Sequence, residues 1–484
     1  MKISTSTLPF LVVLILLFTK RVKLIFLVNL FFKISVFFKS SLFFCLIIFS
    51  TLVSANIIRD AEIENFLEEI SHPIFTEANL NLNSVDIYIF NDKSINAFVA
   101  CGQKVFVNTG LIQSFETPSM LRGVMAHETG HIAGGHLARS DEALERAQTP
   151  MIVGLLLGIG AAIAGDGDAA QALLLGSQQI AQGMVAKYSR SQESAADQAA
   201  VKYLEGIKKS SNGMLEVLYK FANQEALSSN RQSVRVRSHP ISRDRIRSLE
   251  QKVNNSQFIN EKDNEKTLFR YKMIQAKLDG FLNNPNDVIR RAEKDSSLIF
   301  NKYSLAVAYY RKALLKESLL ILNQMINQYP DNPWFYELKG QVLYESGKIK
   351  ESIMPYRKSL TISPNEPLLM VALATALNAL ENKNDALEAL NLLKKSLRYD
   401  QKNTRTWFQL ALSYSRINDI GNAELASAER HFLTGNVKMA SFHAKKSLKY
   451  IKNSSISILR AQDIIPILKT KQNGKKDAQF KKNL

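Results

Sequence analysis

The chain has 484 residues, a formal charge of +18 and 46% apolar side chains, which leaves room for two or more domains with a substantial core. Six of its cationic side chains and none of its acids fall in the first 55 residues, so the remainder carries +12. That excess comes with no nucleic-acid motif and points to weak attraction to anionic surfaces such as membranes. Two cysteines exclude a scaffold stapled by several disulfides.

Residues 1–55 read as a secretion leader. Ser41 to Ala55 is an apolar core preceded by Lys33 and Lys39, and Val53-Ser54-Ala55 has the small-residue cleavage pattern, so Asn56 is the expected first mature residue. The earlier apolar run from Leu8 to Phe18 is too short for an ordinary span, and a retained membrane anchor is the alternative. Removal of Cys45 leaves Cys101 alone, without an internal disulfide.

After an amino-terminal helix region that contains His72, the segment before the motif helix reads as strands. Val85, Ile87 and Ile89 alternate with Asp86, Tyr88 and Phe90, and Asn96-Ala97-Phe98-Val99-Ala100 leads through Gly102 to Val105-Phe106-Val107 as a hairpin. A helix follows, with Thr117 as N-cap, Pro118 in its first turn, and Leu121, Val124, Met125 and Ile132 at helical spacing up to Gly134-Gly135.

Inside that helix His127-Glu128-Thr129-Gly130-His131 spells H-E-x-x-H. Histidines four apart lie on one helix face, so their rings can converge on one Zn²⁺ while Glu128 serves as general base toward the water it activates. The metzincin extension fails because His136 falls one residue short of its third histidine, and His136, like His72, is expected in a packing or surface role. The third ligand is expected downstream. Glu193 and Asp197, four apart on a second helix, can supply one carboxylate to the metal and one to the outer N–H of a ligand histidine. Between the two motifs, Met151 to Val185 carries only Asp166 and Asp168 as charges. It reads as a helical hairpin that is either core packing or a lid or membrane-touching surface.

After Glu250 the composition turns polar, and from about residue 270 helices take over. Pro330 and Pro364 lie 34 residues apart, each opening a Pro-x-x-Pro turn. Gly340, Gly347, Ser352, Tyr356 and Ser359 occupy small or aromatic packing positions of a tetratricopeptide repeat, and Trp407, Ala411, Tyr414 and Ala423 repeat the scheme. Ala374 and Ala386 open a repeat with a lengthened end, giving about four or five units. His431 and His443 read as helix-face residues of these repeats. The expected boundaries are 1–55 leader, 56–250 metallopeptidase domain, 251–285 linker and connecting helix, 286–466 repeats and 467–484 basic tail.

Three motifs in order carry a family resemblance. They are H-E-T-G-H followed by His136-Leu137-Ala138-Arg139, then Y-S-R-x-x-E-x-x-A-D from Tyr188 to Asp197, then Ser238-His239-Pro240 with Arg243, Arg245 and Ile246. The chain resembles the gluzincin peptidases of the HtpX and CaaX-prenyl-protease superfamily, in the periplasmic branch with C-terminal tetratricopeptide repeats. The resemblance implies an α+β zincin-like domain, mainly helical with a small sheet, followed by an all-α repeat superhelix. It also implies one Zn²⁺ per chain on His127, His131 and Glu193, catalysis by Glu128, and Asn96 to Ala100 as the edge strand that pairs with a peptide. A buried interior strand is the alternative for that stretch. His239 would lie on a loop over the metal, either as an extra ligand that restrains the enzyme or as a donor to the oxyanion.

Two functions follow. One is a periplasmic zinc endopeptidase acting on misfolded or stalled outer-membrane proteins, with repeats that recruit clients or the assembly machinery and with contact to a membrane surface but not to nucleic acid. The alternative is a chaperone or scaffold with latent proteolysis.

Overall fold

The computed structural model of the chain describes residues 57–136, 189–227, 239, 242–451 and 455–465. The expected leader and cleavage site, the apolar segment from Met151 to Val185, Arg139, Tyr188, Ser238, Pro240 and the basic tail lie outside the described residues. From Arg59 onward, Phe90–Asp92 apart, the described residues belong to one compact unit. Among them no helix is long and apolar enough to cross a membrane.

β1 (Ile57–Ile58) is a two-residue strand. Helix α1 (Ala61–Glu77) begins at Asp60, whose carboxylate accepts the Ile63 N–H, and its apolar stripe buries Ile63, Phe66, Leu67, Ile70 and Ile74. Strands β2 (Asp86–Phe90), β3 (Ala97–Ala100) and β4 (Lys104–Asn108) lie in the order β2-β4-β3. β3 and β4 form the expected antiparallel hairpin, with Phe98 opposite Phe106 and Ala100 opposite Lys104. Its tight turn places Cys101 at φ 50° and Gly102 at φ 90°, in the left-handed region where glycine meets no steric penalty. A row of stacked rings, Tyr88 to Phe106 and Phe106 to Phe98, crosses the sheet at 5.3 and 5.1 Å.

After α2 (Thr109–Ser114) the motif helix α3 (Pro118–Ala133) starts as its sequence predicts. Thr117 accepts the Met120 N–H at 3.4 Å, and Pro118 occupies the first turn, where its missing N–H costs nothing. Residues 189–206 form α4, followed by α5 (Asn212–Leu227) and α6 (Arg243–Asn254). Small residues let these helices crowd α3. A Cβ on Gly123 would stand 2.8 Å from the Met214 backbone, and one on Gly130 would stand 2.8 Å from the Ala196 carbonyl oxygen. This is a mainly helical domain with a small sheet.

Helical hairpins follow. After α7 (Glu265–Leu282) and α8 (Pro285–Ala292) come α9 (Ile299–Arg311) with α10 (Leu315–Gln328), α11 (Pro333–Glu345) with α12 (Ile349–Ile362), and α13 (Pro367–Asn378) with α14 (Lys383–Ser396). α15 (Thr404–Arg416) with α16 (Ile420–Leu433) and α17 (Val437–Tyr450) with α18 (Ser455–Ile464) complete the described set. First helices begin at Ile299, Pro333, Pro367, Thr404 and Val437, in steps of 34, 34, 37 and 33 residues, so the lengthened unit is the one containing Ala374 and Ala386. Of the tetratricopeptide positions read from sequence, Gly340, Ser352, Tyr356 and Ser359 are packing positions, whereas Gly347 is exposed in the turn after α11, where its φ of 79° and not packing calls for glycine. Ser352 and Ser359 are fully buried, and Gly340 lies so close to the Tyr356 ring that a Cβ would come within 2.7 Å of it.

The amino-terminal helix is built into the repeats. Ala61 shares an apolar cluster with Trp334 and Leu369, Arg59 pairs with Asp400 at 2.7 Å, and Asp86 pairs with Lys402 at 2.7 Å. Beneath them Lys277 of α7, almost fully buried, reaches Asp60 at 2.8 Å and Glu62 and Glu337 at 3.3 Å, while the Tyr303 hydroxyl donates to Glu62 at 2.8 Å. The other face of α7 is tied to the peptidase side, where Tyr271 donates to the Ile112 carbonyl at 2.8 Å and Gln275 to that of Phe115 at 2.7 Å.

Candidate metal centre

His127, Glu128 and His131 sit in the middle of α3, where the helical repeat puts both rings on one face, and His127 and Glu128 are buried. The close approach at Gly130 brings α4 against that face, so Glu193 and Asp197, one turn apart, flank the histidines. The imidazole Nε2 atoms of His127 and His131 are 3.1 Å apart. Glu193 places Oε2 3.3 Å from His127 Nε2 and Oε1 3.3 Å from His131 Nε2. His239 adds Nδ1 at 3.2 Å from His127 Nε2 and 3.0 Å from Glu193 Oε1. One donor atom from each of these four residues lies within 4.8 Å of all the others.

These separations suit a tetrahedral ion. Zinc-to-nitrogen bonds of about 2.0–2.1 Å at tetrahedral angles put neighbouring donors roughly 3.3 Å apart. Two imidazoles and a carboxylate are a donor set suited to Zn²⁺, and His239 Nδ1 lies beside them.

A surrounding layer holds these donors in place. Asp197 Oδ1 lies 2.9 Å from His127 Nδ1, which assigns the outer N–H of that ring to the carboxylate. Arg245 from α6 then grips both acids, donating from Nε to Asp197 Oδ2 at 2.7 Å and from Nη2 to Asp197 Oδ1 at 2.8 Å. Its Nη1 lies 2.9 Å from Glu193 Oε2. Burial opposes ionisation of Glu193, but hydrogen bonds from His127, His131 and His239 outweigh it and hold its carboxyl well below the usual range. Asp197 is lowered as well, with burial again overcome by His127 and Arg245. Burial likewise disfavours the His127 cation, yet its contacts with Asp197 and Glu193 push it up to about 9. The cluster therefore attracts positive charge.

Glu128 stays outside the donor group, with Oε1 3.6 Å from His239 Nε2. β3 packs against α3, and among the described residues it has a strand neighbour only on the β4 side, so Asn96 to Ala100 lie along a sheet edge rather than in its interior. Asn96 and Ala97 are buried, whereas Phe98, Val99 and Ala100 are half-buried. His136 packs, as expected, but against a metal-facing ring. It is buried, and its Nδ1 lies 2.9 Å from His131 Nδ1, on the outer side of that ring. Counting along a helix excludes it from the metal face, but the helix ends at Ala133 and the next residues turn its ring back. Arg245 is the other residue whose part was missed. The available signal was a guanidinium that two carboxylates four apart would need.

An H-E-x-x-H helix joined by a carboxylate from a second helix defines a metallopeptidase domain. Residues 58–253 match Peptidase family M48, and this segment of the chain is an M48 metallopeptidase domain. The chain is 24% identical over 415 residues to the β-barrel assembly-enhancing protease of Escherichia coli K12, covering 84% of this chain and 83% of that one. It is 24% identical over 391 residues to the Yersinia pestis protein of the same name, covering 80% and 79%. Similar solved structures are yeast Tom70 (13% identity, TM-score 0.33, 71% of this chain and 89% of that one) and YrrB, titled a TPR protein with an unusual peptide-binding site (17%, 0.31, 36% and 91%).

Proposed function

We propose that the protein is a zinc endopeptidase of the bacterial envelope that cleaves misfolded or misassembled outer-membrane proteins in the periplasm, its repeats recruiting clients or the assembly machinery. The observation that carries the reading is the convergence of His127, His131 and Glu193 in a segment of M48 type. The name of the similar Escherichia coli protein supports the client class.

His127, His131 and Glu193 would hold one Zn²⁺ per chain. When bound, the ion supplies a Lewis acid that acidifies water and polarises a carbonyl. Glu128 accepts the proton of the attacking water on its carboxylate and returns it to the leaving amine. Asp197 keeps the His127 proton on Nδ1, which leaves Nε2 as a lone-pair donor, and Arg245 fixes both carboxylates. The edge strand β3 pairs with an extended peptide through main-chain hydrogen bonds.

Purified mature protein should carry about one zinc, and Glu128→Gln should keep the metal while losing cleavage of an unfolded protein. Equal cleavage by the variant would dispose of the enzyme reading. The approach of His239 Nδ1 to His127 Nε2 and Glu193 Oε1 favours a second reading, in which proteolysis is latent and the repeats act as a chaperone or scaffold. Complementation of an envelope defect by Glu128→Gln would support that reading, and failure to complement would count against it.

A further inference from the structure

We infer that His136 is a positioning residue for the candidate metal centre: its imidazole accepts the outer N–H of His131 and fixes which nitrogen of His131 faces the ion. The inference rests on the metal-centre reading above and extends it to a side chain outside the donor group.

His131 turns Nε2 inward, 3.1 Å from His127 Nε2 and 3.3 Å from Glu193 Oε1. Its Nδ1 therefore faces outward, 2.9 Å from His136 Nδ1, with the two rings nearly perpendicular at 79°. Two imidazole nitrogens at that distance share one proton. A His131 that offers a lone pair at Nε2 must carry its proton on Nδ1, so His136 Nδ1 is the acceptor and His136 holds its own proton on Nε2. His127 has a carboxylate in the corresponding place, so the two metal-facing rings are oriented by partners of different strength.

The local backbone is shaped to bring this ring back. α3 stops at Ala133, and Gly135 takes φ +61°, which reverses the chain at little steric cost. The His136 ring then lies over Gly134, where a Cβ would stand 2.4 Å from its Nε2. The His136 carbonyl accepts from Gln192 Nε2 at 3.0 Å, which ties the turn to the helix carrying Glu193.

The test measures zinc affinity of the full mature chain by competition with a chromophoric chelator. His136→Phe should bind zinc about 10–100-fold more weakly, the usual cost of losing such a partner. His136→Gln, whose amide oxygen can accept the same N–H, should stay within about threefold of wild type. Gly134→Ala, which displaces the ring without touching its chemistry, should resemble His136→Phe. Melting of each variant in chelator reports the metal-free fold. Wild-type affinity in His136→Phe would overturn the inference. So would equal losses in the Phe and Gln variants with unchanged metal-free melting, because the effect would then be one of shape. Nitrogen-15 spectra of zinc-loaded wild type give an independent readout, and a His131 bound through Nδ1 would also overturn it. A wild-type chain that takes up no zinc would instead sink the proposed function, and the inference with it.

Discussion

Two buried clusters in this molecule have the same formal composition and opposite behaviour. The metal centre sets Glu128, Glu193 and Asp197 against one permanent cation, Arg245. The junction between α1 and the repeats sets Asp60, Glu62 and Glu337 against Lys277. At the centre, Glu193 and Asp197 are held ionised because, despite burial, imidazoles and a guanidinium donate to them. At the junction burial prevails over Lys277. It pushes Glu62 up to about 7 and raises Glu337. Both clusters hold more carboxyl groups than permanent cations in a medium of low dielectric. One resolves the imbalance by attracting a cation, and the other by keeping protons.

The sharpest test removes the carboxylate that converges with the histidines. Glu193→Ala should lower zinc content from about one per chain to near zero and abolish cleavage of an unfolded protein, as read by metal analysis and a gel assay. The two permanent cations come next. Arg245→Met and Lys277→Met should each cost about 3–5 kcal/mol in urea unfolding, because each strands buried carboxylates. Added zinc should raise the urea midpoint of Lys277→Met as much as that of wild type, whereas Arg245→Met should show weakened metal binding as well. If both variants bound zinc like wild type, the division between the two clusters would fail.

A smaller effect is the pH dependence of the junction. Glu62 titrates near 7 when folded and near 4.5 when unfolded, so the folded chain holds the extra proton between those values. Stability is greatest below that window and falls as pH rises from 4.5 through 7, by about 3 kcal/mol for this one fully buried group. Glu62→Gln should flatten that slope when urea midpoints are compared at pH 5 and pH 8, and an unchanged slope would remove Glu62 as its source. The smallest effect expected is that of Thr117→Ala, which removes the cap of the motif helix and should cost about 1 kcal/mol in the same assay.

Much of the centre was legible in the sequence because its logic is local. Helical spacing places His127 with His131 and Glu193 with Asp197, and the cap at Thr117 and the β3–β4 hairpin follow from residue types at fixed offsets. The parts that were not legible depend on how the chain returns in three dimensions. Arg245 belongs to a helix 48 positions beyond Asp197, and nothing in its own neighbourhood marks it as the partner of both acids. His136 was set aside because a continued helix would carry it off the metal face, whereas the reversal at Gly135 turns it back. The junction is less legible still, since Ala61, Trp334 and Leu369 meet only in the folded chain.

That last feature has a consequence for how the molecule matures. Tyr303 meets Glu62 across 241 residues and Asp400 meets Arg59 across 341. During synthesis the first turn of the amino-terminal helix therefore lacks its partners until the repeats have emerged from the ribosome. The residues of the hydrolytic centre, His127 to Arg245, are already made by then, so the repeats close over the start of the chain after the site's own residues have appeared.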